Sequence, residues 1–376
     1  MPDKKVRVLL GTRKGAYIVE SDQRRRTWKV RPVSNAGREI YHVTADPRFP
    51  GRLYAAVNSG FWGPILYRSS DWGKRWEEVA TPLTAISKER PNPMEAADPS
   101  KISYPVVNLW HVAPGHAEEP STVFVGVDPH MLFRSDDHAK SWQPVDGLNH
   151  HPTKAKWNPG AGGPCVHTVI VDPRSRRRMY VGISAAGTFR SDDGGERWRP
   201  TNRKVEAGFL PDPYPEVGQC VHHVALDPAD PDIAYRQDHG GIYVSRQAMD
   251  DDWDRIGKAR GAPGDDFGFC VATARHLPGK AFFVPLQGEA RTTPNGGLQV
   301  WEWSEKGRRW RTLMSPKRFP GDFGVQREGI HSDALEPAGI YVGTTTGQLV
   351  VSPDAGKSWL QVPYAFPGIH SVEAAI

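Results

Sequence analysis

Histidine is the residue type whose placement calls for a chemical explanation. The chain has 14 histidines in 376 residues. Six of them fall at matching points of short apolar runs: His42 in "YHVTADP", His111 in "WHVAP", His167 in "CVHTVIVDP", His222 in "CVHHVALDP", His331 in "GIHSDALEP" and His370 in "GIHSVE". Imidazole titrates near neutrality and is the commonest nitrogen ligand for transition metals. A converging set of histidines would bind such a metal or move protons. The same recurrence also follows from duplication of one packing residue, so both readings stay open here.

The elements that carry these histidines are spelled by a second recurrence. "RSSDWGKRW" contains an S-x-D-x-G-x-x-W frame from Ser69 to Trp76. The frame returns at 135–142, with alanine for glycine, and complete at 191–198 and 352–359. Weaker copies stand at 21–28, 245–253 and 303–310. Ser and Asp side chains bond turn backbone, and glycine accepts positive φ, so each frame predicts a tight hairpin with tryptophan packed back over it. Strand patterns flank every copy: "RLYAAV" and "PILYRS", "STVFVGV" and "MLFRS", "RMYVGIS" and "GTFRS". With the histidine-bearing run upstream, each repeat makes four antiparallel strands.

Seven such repeats predict one all-β domain over 1–376, a seven-bladed β-propeller. "VRVLLGT" reads as a second strand and the terminal "GIHSVEAAI" as a first strand, so the two ends should close one blade together.

The frame resembles the Asp-box, or BNR repeat, of sialidases, sortilin-type receptors and photosystem II assembly factors. The full chain resembles bacterial Asp-box propellers labelled exo-alpha-sialidase or glycosyl hydrolase, through "GTRKGAYIVESD", "FRSDDGGERW", "PEVGQCVHHVALDP" and "GIYVGTTTGQLVVSPDAGKSW". The resemblance implies a functional face opposite the boxes. Classical sialidase activity is not expected, because the Arg-Ile-Pro motif is missing and sialidases have six blades. Fold-level analogy offers two metal chemistries for seven-bladed propellers: uronate lyases with three histidines and a glutamine, and oxygenases with four histidines on iron.

On this reading the six histidines begin first strands at the loop-rich mouth, with Cys270 at the seventh. The expected metal ligands are His167, His222 and His331, for zinc, manganese, iron or copper. His42, His111 and His370 are the expected fourth ligand or general base, with Glu328. Arg327 and Arg13 would clamp a substrate anion, and Glu39, Glu216 and Glu328 would orient imidazoles. Trp62, Trp110, His239 and Arg291, with Tyr41, Tyr104, Tyr214, Trp157 and His130, would line the pocket. The leading expectation is a metal-dependent hydrolase or lyase for a small organic or saccharide substrate. The alternatives are a non-catalytic binding or assembly module and an oxygenase.

Composition narrows the rest. The net charge of +5 rests on short arginine runs such as 24–26 and 176–178, read as turn tips rather than a nucleic-acid patch. No apolar run approaches a membrane span. Three cysteines and a strand-like N-terminus favour a cytoplasmic protein without a disulfide framework, acting as a monomer or small homo-oligomer.

Overall fold

Each stretch of alternating and apolar-rich sequence forms a strand, and the strands sort into seven antiparallel sheets of four. The computed structural model describes residues 5–32, 35–59, 63–81, 106–158, 163–250 and 252–376. Blade 1 opens with Glu39–Ala45, blade 2 with Asn108–Pro114, blade 3 with Val166–Val171 and blade 4 with Val221–Leu226. Blade 5 opens with Gly268–Thr273 and blade 6 with Ile330–Ser332. Blade 7 takes its first strand, Ile369–Ala375, from the C-terminus and the other three from Val6–Thr12, Gly15–Ser21 and Lys29–Pro32. The closure runs in register from Arg7 opposite Ala375 to Gly11 opposite Ser371. The fold is a seven-bladed β-propeller, as the repeats predict.

The chain forms two compact units. The first comprises 1–43, 203–214 and 222–376; the second comprises 44–202 and 215–221. In the first unit, Phe282, Val284, Val300, Val342, Val350 and Trp359 join blades 5 and 6 in one apolar cluster. Tyr235, Val244, Phe283, Trp303 and Trp310 join blades 4 and 5 in another. The middle strand Lys280–Pro285 is therefore buried on both faces, and it reads AFFV rather than alternating. Full burial of each such side chain contributes about 1.5–3 kcal/mol. Gly343 lets blades 6 and 7 touch, because a Cβ there would lie 2.6 Å from Ile369 and 2.7 Å from Val372. In the second unit, Phe124, Leu132, Trp157, Val166, Val181 and Phe189 form the cluster between blades 2 and 3.

The S-x-D-x-G-x-x-W frames form the turns between third and fourth strands. Ser69 Oγ accepts the Gly73 N–H at 2.9 Å, and Asp71 accepts the Lys74 and Arg75 N–H groups at 3.1 and 2.9 Å. Ser191 and Ser352 repeat the bond to Gly195 and Gly356. Ala139 keeps it at φ +65°, so the substituted copy holds the left-handed conformation without glycine. The tryptophans do more than cover their own turns. The indole N–H groups of Trp142, Trp310 and Trp359 donate to Ala80, Ile256 and Leu313 carbonyls on the preceding blade. Among the described residues only short helical turns occur, and no helix is long and apolar enough to cross a membrane.

Candidate functional site

Strand alternation on Glu39–Ala45 separates two sets of side chains. Ile40, His42 and Thr44 share one face, and Glu39 and Tyr41 the other. Glu39 Oε1 lies 2.9 Å from His370 Nε2, and the His370 ring stacks on Tyr41 at 5.1 Å with 9° between planes. The hydrogen bond from His370, aided by the charges of His370, Arg13 and Lys14, holds the Glu39 carboxyl below its ordinary pKa against its partial burial. Arg13 is placed by its turn, where its N–H donates to the Gly368 carbonyl at 3.0 Å.

His42 has a carboxylate of its own. Glu328 Oε2 lies 3.3 Å from His42 Nε2, and both side chains are largely buried. Glu328 is fixed from the backbone side, since its carbonyl accepts the Val372 N–H at 2.8 Å and the residue bridges to Ser371. Two histidine–carboxylate pairs thus converge on the strand Ile369–Ala375, with partners drawn from opposite ends of the chain.

The neighbouring residue Arg327 leads to the third group. Its guanidinium lies 5.7 Å from the Phe269 ring centre, and that of Arg291 lies 6.0 Å from the same ring. Phe269 packs on His222 at 4.5 Å. His222 is buried, and its Nδ1–H donates to the Gly268 carbonyl at 2.6 Å. Burial first, and the Arg327 charge second, push His222 well below its ordinary pKa, so the imidazole is neutral. His239, in the turn before Gly241–Ser245, brings a ring nitrogen within 4.8 Å of one on His222. Arg291 is exposed, sits at φ +55°, and has no carboxylate partner among the described residues.

The other expected ligands are placed differently. His167, in the second unit, has Nε2 2.9 Å from the Val221 carbonyl and Nδ1 3.0 Å from Thr168 Oγ1, so both ring nitrogens are engaged within the fold. His331 accepts the Ala374 N–H on Nδ1 at 3.1 Å, and burial pushes its pKa down to about 4. Among the described residues neither enters a cluster with metal-ligand spacing. His111 and Trp110 lie half-buried on the first strand of blade 2 in the second unit. Trp62 and Tyr104 lie outside the described residues. Glu216 is 60% exposed beside Lys156, a surface pair rather than a support for an imidazole. Phe267 and Phe269 are additions; their alternation at the start of a first strand was the available signal.

His222 has the tautomer that a metal ligand adopts, with Nδ1–H tied to a carbonyl and Nε2 as the donor atom. With His239 it fits a transition metal by donor type. Arg327 and Arg291, which lie over Phe269, act on the same imidazole through their charges and favour an anion beside it.

The comparisons agree with this fold. The BNR-Asp box repeat family matches residues 66–79, the frame of blade 1. No curated protein is similar enough in sequence to match. An ancestral GH74 enzyme is similar in structure with 15% identity and a TM-score of 0.55, over 83% of this chain and 36% of that one. The GH74 enzyme of Niastella koreensis has 14% identity and a TM-score of 0.55, over 96% and 65%. The chain therefore spans less than two thirds of either GH74 enzyme. YCF48 from Cyanidioschyzon merolae has 12% identity and a TM-score of 0.53, over 88% and 87%; YCF48 bound to a D1 peptide gives 11% and 0.50, over 96% and 85%. The chain is a seven-bladed β-propeller carrying Asp-box repeats, similar in fold to glycoside hydrolases and to YCF48 alike.

Proposed function

We propose that this propeller is an enzyme, a hydrolase or lyase, acting on an acidic saccharide or another small organic anion at the first-unit site. The observation that carries the reading is the His42–Glu328 pair, a largely buried imidazole 3.3 Å from a carboxylate. Glu328 orients the ring and stabilises the imidazolium that forms when His42 takes a proton, a contribution of about 10²–10⁴ in rate. His370, paired to Glu39, is the second proton carrier. Arg327 and Arg291 receive the substrate's negative group, and Arg13 adds positive charge on the Glu39 side. With the anion neutralised, a proton beside it becomes easier to remove, which serves elimination; a water in the same place serves hydrolysis.

A divalent transition metal would be held by His222 and His239, and when bound would polarise a carbonyl or carboxylate oxygen. The proton chemistry of His42 and Glu328 does not depend on it.

The test is turnover of a panel of acidic and neutral oligosaccharides and hydroxy acids, with and without added zinc, manganese, iron or copper. An acidic substrate should be consumed, and His42→Gln and Glu328→Gln should each lower kcat by roughly 100-fold while Tm stays within a few degrees. No turnover under any condition, or turnover that survives both substitutions, would overturn the reading. The likeness to YCF48 over most of both chains supports a second reading, a peptide-binding or assembly module. Such a module would retain its partner in both variants.

A further inference from the structure

The rings around His239 narrow what the first-unit site can hold. His239 is exposed and makes no hydrogen bond among the described residues. Three rings pack nearly perpendicular to it: Phe209 at 5.8 Å, His222 at 5.7 Å and Phe267 at 5.2 Å between centres. Phe269 continues this aromatic wall, 5.3 Å from Phe267 and 4.5 Å from His222. Phe209 is 52% exposed, yet its loop is fixed. The Ala207 N–H donates to the Pro213 carbonyl at 2.8 Å, and Arg255 holds Glu206 at 2.6 Å.

Positive charge borders the wall. The guanidiniums of Arg327 and Arg291 lie 5.7 and 6.0 Å from the Phe269 ring centre. Arg291 is exposed, and its side chain makes no hydrogen bond or ion pair among the described residues. Its turn is set by two bonds of 2.8 Å, from the Arg291 N–H to the Gln287 carbonyl and from the Gln287 N–H to the Thr292 carbonyl. The acids on the segment before Phe267 are already engaged. Asp266 pairs with Arg255 at 3.1 Å and Lys258 at 3.2 Å, and Asp265 accepts the Phe267 N–H at 3.1 Å. An unneutralised guanidinium therefore stands beside exposed aromatic surface. A carboxylate meets a guanidinium through two parallel hydrogen bonds, and a flat ring packs edge-to-face on phenylalanine and imidazole. A sugar ring fares worse here, because phenylalanines offer nothing to its hydroxyls and a desolvated hydroxyl without a partner costs affinity.

On the proposed reading that the first-unit site receives an organic anion, we infer that the charge is carried by an aromatic ring. The ligand is an aryl or arylalkyl carboxylate, with its ring on the Phe209–His239 wall and its carboxylate at Arg291. Phe209 is then a specificity residue, and Arg291 is the contact shared by every acidic ligand.

Ligand-observed NMR titrations of the intact chain give Kd for three probes: hydrocinnamate, its neutral amide, and glucuronate. Hydrocinnamate should bind at least about tenfold more tightly than either of the others. Phe209→Ala should weaken hydrocinnamate by about fivefold and leave glucuronate within about twofold, which also shows that the variant is folded. Phe209→Trp keeps a ring and should keep the preference. Arg291→Gln should weaken both acids alike. Glucuronate binding as tightly as hydrocinnamate, or a preference that survives Phe209→Ala, would overturn the aromatic assignment while leaving the anion site standing, provided Arg291→Gln still weakens both acids. The amide binding as tightly as the acid, or acids indifferent to Arg291→Gln, would overturn the anion site as well.

Discussion

Lowering the pH should destabilise this fold through His331, and the size of the effect follows from the residue's surroundings. Nδ1 of His331 accepts the Ala374 N–H at 3.1 Å across the strands that open blades 6 and 7. Protonating that nitrogen sets a donor against a donor. Burial holds the folded pKa down at about 4, whereas an unfolded histidine titrates near 6.5. Because the folded value is the lower, the stabilisation is complete above about pH 6.5 and is lost as pH falls towards about 4. A difference of about 2.5 units amounts to about 3 kcal/mol, or about 1.4 kcal/mol per pH unit through the window. Asparagine keeps an acceptor near the Nδ1 position and does not titrate. Urea unfolding of the wild type and His331→Asn, followed by tryptophan fluorescence, isolates the term because all other groups cancel. Relative to the variant, the wild type should lose about 2 kcal/mol between about pH 6 and pH 4.5. A difference between the two proteins that stays constant across that range would refute the reasoning.

Two further outcomes follow from the turns. Arg25 is buried and bonds Asp333 at 2.6 Å together with the Pro337 and Pro353 carbonyls, while Asp333 also accepts the Tyr341 hydroxyl at 2.6 Å. Arg25→Met leaves that carboxylate buried and uncompensated, so denaturant unfolding should show a loss of about 3–5 kcal/mol, and a loss below about 1 kcal/mol would contradict the role. Ser191→Ala removes the acceptor for the buried Gly195 N–H and should cost about 1–3 kcal/mol in the same assay; no change in midpoint would show that the box hydroxyl is dispensable.

Much of the fold was legible because its signals are local. A serine, an aspartate and a residue able to take positive φ fix a turn whatever surrounds them. The copy at Ser245 illustrates this: it is one residue longer, yet Ser245 Oγ still accepts the Met249 N–H, with Met249 at φ +62°. The shared terminal blade was legible for the same reason, since "VRVLLGT" and "GIHSVEAAI" supplied the strands missing from a count of four. The site was legible only by residue type. Which histidine meets which carboxylate depends on residues far apart in sequence, as with Glu39 and His370, and on backbone groups that no side-chain pattern encodes. Nothing around His167 in the sequence announces that the Val221 carbonyl and Thr168 hydroxyl occupy its ring.

Equivalent histidines at equivalent repeat positions have come to meet different partners. His167 is bonded to a carbonyl and a hydroxyl, while His331 accepts a backbone N–H and is held neutral by burial. Burial and then the Arg327 charge disfavour the His222 cation, against the bond to the Gly268 carbonyl. His42 and His370 lie against carboxylates, Glu328 and Glu39. Proton transfer needs a ring that can hold charge in one state and release it in the next. Duplication can supply a histidine to every blade, but a carboxylate that orients the ring has to be acquired separately. The two histidines so equipped both belong to the first unit, as do Arg13, Arg291 and Arg327, and the proposed chemistry rests on that coincidence rather than on the recurrent histidines as a class.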